Sequence, residues 1–309
     1  VKKVSVIIFI VIMLGIGCLN LNESIKETCP RTSNITQAMS CYIPEDFEIL
    51  KGVAEEIPGG TIEWKIWNIL EWEEDHLSYD NNKGSDIILK PSEFIKVGEG
   101  VCTDYAVLTA GLLLASNISP VYLMIFHFME DPTLHAAVAV NISGKLFILD
   151  QRLPPKNLDS YLIQFSKLEG KIILFAEMYK VEMKKGRVVV SGRKYLDLSN
   201  FGFYPGNISL DMLENLLLSE FQRRTNLFPR IDLKTVLPQG LKERKVWMIK
   251  FENFKLFYDD TFVEQYSNFI ADEILKNEKI KSDISRYSAF WISIKLEGDD
   301  LIVRLFLGR

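Results

Sequence analysis

From Cys102 to Ser116 the chain carries its most apolar helical pattern outside the N-terminal segment, running through Ala106, Leu108, Ala110, Leu112, Leu113 and Leu114. A helix apolar on every side is buried on every side, so this one is central and the rest of the fold must wrap it. Ser119-Pro120 ends it. Strand-like runs follow at 121–126, 134–140 and 145–149, the last two joined by Ser143-Gly144, a two-residue hairpin signal. Upstream, Ile62, Ile66, Ile69 and Leu70 recur at helical spacing between Thr61 and His76, with Trp64, Trp67 and Trp72 among them. Residues 79–85 read as a turn-rich loop, and 91–100 as another stretch that a helix would not cross intact. Helices followed by an antiparallel sheet predict an α+β fold.

Pro154-Pro155 reads as a boundary. Beyond it, strand-like stretches at 172–181, 187–190, 246–251, 290–296 and 301–307 alternate with two amphipathic helices near 210–221 and 262–275. Glu297-Gly298-Asp299 marks a hairpin turn. This half carries no motif with chemistry, no repeat and no low-complexity run. The expected division is a signal or membrane-anchor segment at 1–21, a stalk at 22–45, a core domain at 46–158 and an additional α+β region at 159–309.

Lys2 and Lys3 precede an uncharged apolar run over residues 4–19, after which the chain turns polar at Asn20, Asn22 and Glu23. That is the pattern of a secretion signal or a single membrane span, at the short end for crossing about 30 Å of hydrocarbon. The basic end is expected to stay in the cytoplasm and the bulk of the chain to lie outside it. Cys18 follows Leu14-Gly15-Ile16-Gly17, part of a lipobox pattern with leucine one position too far, and reads first as an apolar cysteine of the run. In an oxidising compartment Cys29 and Cys41 are close enough in sequence to close a small loop, which leaves Cys102 as the unpaired thiol. Asn-X-Ser/Thr sequons at Asn22, Asn34, Asn117, Asn141 and Asn207 are compatible with that location.

The formal net charge of -5 over 309 residues, with no basic stripe, argues against nucleic acid as a partner. The four cysteines form no close pair and the three histidines no ligand spacing, so neither a structural zinc nor a catalytic metal is expected, and no cofactor.

A thiol is a useful nucleophile only as thiolate, and a helix N-terminus beside an imidazole lowers its pKa. Cys102 heads the predicted central helix, and Gly98 and Gly100 allow a tight entry with room for a substrate carbonyl by the Cys102 N–H. His135 falls on the second strand and Asp150 ends the third, so antiparallel neighbours can bring them side by side. Asp150 would then hold the His135 tautomer, and His135 the ion pair with Cys102. Of the other histidines, His76 lies in the charged run Glu73-Glu74-Asp75. His127 ends a strand-like run without a strand-terminal aspartate at short spacing. Asp104 reads as a helix-dipole residue, and Tyr105 and the tryptophans as core.

Gly100-Val101-Cys102-Thr103-Asp104-Tyr105-Ala106, then His135-Ala136, then Leu149-Asp150, resembles the three-block pattern of the transglutaminase-like superfamily. The Trp-bearing helix, the Tyr79-Asp80 loop and Pro91-Ser92-Glu93-Phe94 resemble its upstream blocks, so the likeness covers roughly residues 55–155. Ala137 stands where members often carry an aromatic residue, and no residue matches a side-chain oxyanion donor. The resemblance implies a papain-like core with Cys102, His135 and Asp150 as catalytic triad. The implied activity is hydrolysis or transamidation of a peptide or amide bond through a Cys102 thioester, on a peptide or protein substrate, with the membrane reached through the N-terminal segment. The competing expectation is a non-catalytic surface module that uses the same fold for binding.

Overall fold

A computed structural model describes residues 29–83, 87–199 and 208–309. The apolar run at 4–19, Cys18, the sequons at Asn22 and Asn207, and Gly84-Ser85 of the expected loop lie outside these residues. Residues 31–309 form one unit, and of the other, residues 1–30, only Cys29 and Pro30 are described. Among the described residues no helix is long and apolar enough to cross a membrane.

Three helices open the unit: α1 (Ile35–Glu45), α2 (Phe47–Glu56) and α3 (Ile62–His76). The expectation of a stalk up to residue 45 is corrected by α1. Asn34 caps it by accepting from the Gln37 N–H, and Ala38, Met39, Tyr42 and Ile43 are fully buried. Their spacing of three to four is the core-facing stripe of a helix, which the surrounding polar residues conceal. The α3 helix starts where its cap predicts, with the Thr61 side chain accepting from the Trp64 N–H.

A two-residue parallel bridge then pairs β1 (Ser78–Tyr79) with β2 (Glu99–Gly100), around the short helix α4 (Pro91–Val97). Pro91 starts α4 at its first turn, where the missing N–H costs nothing, and Gly98 ends it in the left-handed region at φ 77°. The central helix α5 (Cys102–Ala115) is buried along almost its whole length.

Next come β3 (Val121–Phe128), β4 (Leu134–Ile142), β5 (Lys145–Asp150), β6 (Arg152–Asn157), α6 (Leu158–Ile163) with a π-helical turn over Gln164–Leu168, β7 (Ile173–Lys184) and β8 (Arg187–Asp197). The six strands make one antiparallel sheet in the order β6-β5-β4-β3-β7-β8. The break expected after residue 158 is therefore not an edge of the sheet, since β7 pairs directly with β3. Pro154-Pro155 lies inside β6, and it fits because β6 is an edge strand with one side free of ladder bonds. Alternate residues of the central strands are buried on both faces. Met124, Phe126, Ala137, Ala139 and Ile148 pack with Tyr161 and Phe165, while Leu123, Val138, Val140 and Leu149 form the other buried set, with α5 against β3 to β5.

The remaining chain adds α7 (Leu210–Arg224), β9 (Phe228–Pro229), β10 (Arg244–Phe251), α8 (Phe254–Phe257), α9 (Val263–Lys276), α10 (Glu278–Ile284), β11 (Ala289–Glu297) and β12 (Asp300–Gly308). Its sheet has the order β10-β12-β11-β9, and the β11–β12 hairpin turns at Gly298, φ 66°. It docks on α3 and the first sheet through aromatics: Phe262 packs against Trp67 of α3 and Phe147 of β5, and Tyr266 against Trp67. Asp259 clamps the β5–β6 hairpin, accepting from Lys145 Nζ at 3.1 Å and Asn157 Nδ2 at 3.0 Å.

Candidate active site

The turn into α5 is held by buried polar contacts. Asp104, 1% exposed, accepts from the Val101 N–H at 2.8 Å, the Leu89 N–H at 2.7 Å and Lys83 Nζ at 2.5 Å. Each bond to a carboxylate contributes about 1.5–3 kcal/mol, so Asp104 fixes the backbone beneath the thiol rather than acting through the helix dipole alone. Gly100 is required by close approach: a Cβ there would lie 2.6 Å from the Phe94 ring and 2.8 Å from the Asp104 carboxylate. On the other side of the turn, the Asp80 N–H donates to Gly100 O at 2.9 Å, which brings Tyr79 beside Cys102.

His135 and Asp150 meet through strand register. The β4–β5 ladder ends at Val138↔Leu149, so Asp150 falls opposite Ala137, on the same face as His135 and diagonal to it. His135 Nε2 lies 2.8 Å from Asp150 Oδ2, which leaves Nδ1 for the thiol. The same carboxylate oxygen accepts from the Tyr161 hydroxyl at 2.7 Å. Cys102 is a free, buried thiol that hydrogen-bonds the His135 side chain and the Ala136 backbone N–H. Cys29 and Cys41 are both disulfide-bonded.

The ionisation of the three groups is coupled. Burial pushes the Cys102 thiol up, but the hydrogen bond and charge of His135 and the Ala136 N–H outweigh it and hold the thiol below its ordinary value. Burial disfavours charge on His135 too, yet Asp150 and Cys102 push the imidazole up to about 10. Asp150 is held below the usual carboxylate range: burial opposes this, and His135, Tyr161 and Lys156 prevail. The arrangement favours a thiolate, an imidazolium and a carboxylate in a row.

Cys102 lies where two cavities meet. One, about 710 Å³, is walled by Phe128, Lys156, Phe165, Leu168 and Phe257; the other, about 590 Å³, by Ile35, Lys83, Val101 and Ile125. Tyr79, Thr133, Leu134 and His135 border both. The Tyr79 hydroxyl hydrogen-bonds the backbone N–H and the side chain of Cys102, and burial together with the thiol's charge pushes its pKa up.

His127 lies elsewhere, 3.2 Å from Glu177 and stacked on Phe175, and borders neither cavity. His76 is exposed and stacked on Trp72. Trp67 is core, and Trp64 donates to Glu264 at 3.2 Å. Among the described residues no group of three or more His, Cys, Asp or Glu is placed to hold a metal ion.

Two neighbours of the triad escape a linear reading. Tyr161 comes from α6, which is too short to show an apolar period and whose start is marked only by the Asn157 cap and Asp159 in its first turn. Glu73 looks like part of a solvated charge run, but it is fully buried behind α5 and accepts from the Thr109 hydroxyl at 2.7 Å. Its place after Ile66, Ile69 and Leu70 on the apolar stripe of α3 is the signal that reveals it.

A sequence model described as a transglutaminase-like domain matches residues 48–179. Over the whole length, a UPF0252 protein of Pyrococcus furiosus is 36% identical over 316 residues, covering 99% of this chain and 96% of that protein. The chain belongs to the UPF0252 family. A second UPF0252 protein, from Archaeoglobus fulgidus, is 30% identical over 292 residues, with 87% of each chain covered. The transglutaminase-like resemblance and the α+β fold are thus both borne out for this UPF0252 member. Among solved structures, a candidate cysteine protease from Cytophaga hutchinsonii aligns with TM-score 0.32 and 17% identity, covering 63% of this chain and 62% of that one. Legionella pneumophila LapG aligns with TM-score 0.28 and 15% identity, covering 42% and 80%.

Proposed function

We propose that the chain is a cysteine acyl-transfer enzyme that acts outside the cytoplasm and hydrolyses or transamidates a peptide or amide bond through a thioester on Cys102. The observation that carries this reading is the hydrogen-bonded row Cys102–His135–Asp150 at the junction of two cavities. A thiolate with room on both sides suits a substrate that extends in both directions from the bond attacked. The apolar run at 4–19 and the disulfide-bonded Cys29 and Cys41 support the external location and a membrane attachment or export route.

In this reading the Cys102 thiolate adds to the carbonyl carbon, and the Cys102 N–H and the Tyr79 hydroxyl donate to the oxygen as it becomes an oxyanion. His135 Nδ1 gives its proton to the leaving amine as the C–N bond breaks. Water, or an amine, then attacks the thioester while His135 takes up its proton, and the thiolate is restored. Tyr161 and Asp150 keep the imidazole oriented through both halves.

The test is acylation by p-nitrophenyl acetate. The full chain is expected to release a burst of p-nitrophenolate and to carry the acetyl group on the Cys102 peptide by mass spectrometry. Cys102→Ala gives neither. Equal, slow release from both proteins returns the fold to the role of a binding module. Tyr79→Phe is expected to slow this acylation by about 10- to 100-fold, and alkylation by iodoacetamide, which passes through no oxyanion, by much less. Equal losses in the two reactions would assign Tyr79 to holding the thiol instead.

A further inference from the structure

Lys156 on β6 is 8% exposed and faces the larger cavity beside the triad. Among the described residues it has no carboxylate within ion-pair distance and no hydrogen-bond acceptor. Its Nζ lies over the face of the Phe257 ring, 5.7 Å from the centroid. Other sheltered lysines differ: Lys83 has Asp104 at 2.5 Å, and Lys90 has Glu45 at 2.6 Å. Taking an ammonium out of water costs several kcal/mol unless an anion compensates it. Burial accordingly holds Lys156 below the ordinary lysine value, and the charges of Asp150, Glu169 and Glu74 only oppose that from a distance.

The other charged groups of the cavity are already engaged or lie at its rim. Asp150 is bonded to His135 and Tyr161, Lys171 is 3.1 Å from Asp131, and Glu169 accepts from Gln164 at 3.0 Å. Arg152 is exposed. Phe128, Phe165, Leu168 and Phe257 supply apolar wall to the cavity that Cys102 and Lys156 both line. An anionic head on a short methylene arm matches this lining: the arm against the rings, the head at Lys156.

We propose that this cavity is a carboxylate-binding subsite in which Lys156 selects substrates bearing a carboxylate close to the bond that Cys102 attacks. The proposal rests on the acyl-transfer reading of Cys102 and adds to it the substrate class. The carboxylate comes either from an acidic side chain or from a chain's C-terminus, and both present the same group to Lys156.

Three alkylating reagents separate the possibilities on the full chain: N-iodoacetyl-glutamate α-amide, N-iodoacetyl-glutamine α-amide, and N-iodoacetyl-glutamine with a free α-carboxylate. The readout is the rate of Cys102 modification by each, followed on the Cys102 peptide by mass spectrometry and divided by the rate with iodoacetamide. That ratio cancels any change in thiol reactivity. The expected result is a preference of about tenfold for one acidic reagent over the neutral one, falling to about threefold or less in Lys156→Met and largely kept in Lys156→Arg. A fast glutamate amide identifies a side-chain carboxylate, and a fast free acid a terminal one. A preference that persists in Lys156→Met assigns it to the His135 imidazolium and overturns the proposal, as does a wild-type ratio near one. A loss of rate with every reagent at an unchanged ratio would make Lys156 a counter-charge for Asp150, which also overturns it. Failure of the underlying reading looks different: iodoacetamide then reacts with Cys102 as with an ordinary thiol, while the ratios remain measurable.

Discussion

With His135 replaced by alanine, alkylation of Cys102 by iodoacetamide at pH 6 is expected to slow by about tenfold or more, and the two proteins' rates to converge above pH 9. In the wild type more of the thiol is ionised at pH 6 than in a free cysteine, because His135 holds it below its ordinary value. The imidazole keeps its proton up to about pH 10, so the wild-type rate is expected to change with pH less steeply than the variant's. Without the imidazolium the thiol returns toward a pKa of about 8.5, and under one per cent is thiolate at pH 6. A more basic thiolate is a better nucleophile, with a Brønsted slope of about 0.4–0.5, which offsets part of the loss and limits the net effect. Two superimposable profiles with the midpoint of a free thiol would remove the ion pair from the account.

Glu73→Gln is expected to stabilise the protein at pH 8 by about 3–5 kcal/mol and to flatten its stability profile below that pH. Burial, with the charge of Asp150 adding to it and the Thr109 hydroxyl opposing, pushes the Glu73 carboxyl up to about 8. In the unfolded chain it titrates near 4.3. Below 4.3 both states hold the proton; between 4.3 and 8 only the folded one does, so stability falls as pH rises through this window and levels off above it. Glutamine keeps an acceptor for Thr109 and cannot ionise. His135 also loses stabilisation as pH rises toward 10, so the decisive quantity is the difference between the wild-type and variant urea-unfolding curves from pH 4 to pH 9. Parallel curves would mean that Glu73 is ionised in the folded protein.

Much of this site is legible because its chemistry is written in short local blocks. Cys102 with its glycines, His135 on an alternating strand and Asp150 at a strand end each announce a local geometry, and the Ser143-Gly144 turn fixes the register that joins the last two. The neighbours that tune them are less legible because they arrive through packing. Glu73 is obscured by Glu74 and Asp75 unless its helical phase is counted, and Lys156 by the two prolines before it. The α1 helix is missed for the same reason: its buried stripe of Ala38, Met39, Tyr42 and Ile43 is too sparse among polar residues to stand out by composition.

The cavity beside the thiol takes one wall from Phe257, and the hairpin carrying Asp150 is clamped by Asp259, both more than a hundred residues beyond the triad blocks. The shape of this cavity is therefore open to drift, across the family, in a stretch of chain that holds neither the thiol, the imidazole nor the carboxylate. Two members can share an identical Cys-His-Asp set and still differ in the cavity beside it, if their counterparts of residues 257–259 differ. A comparison of these proteins confined to the Cys-His-Asp set would group together chains whose cavities differ.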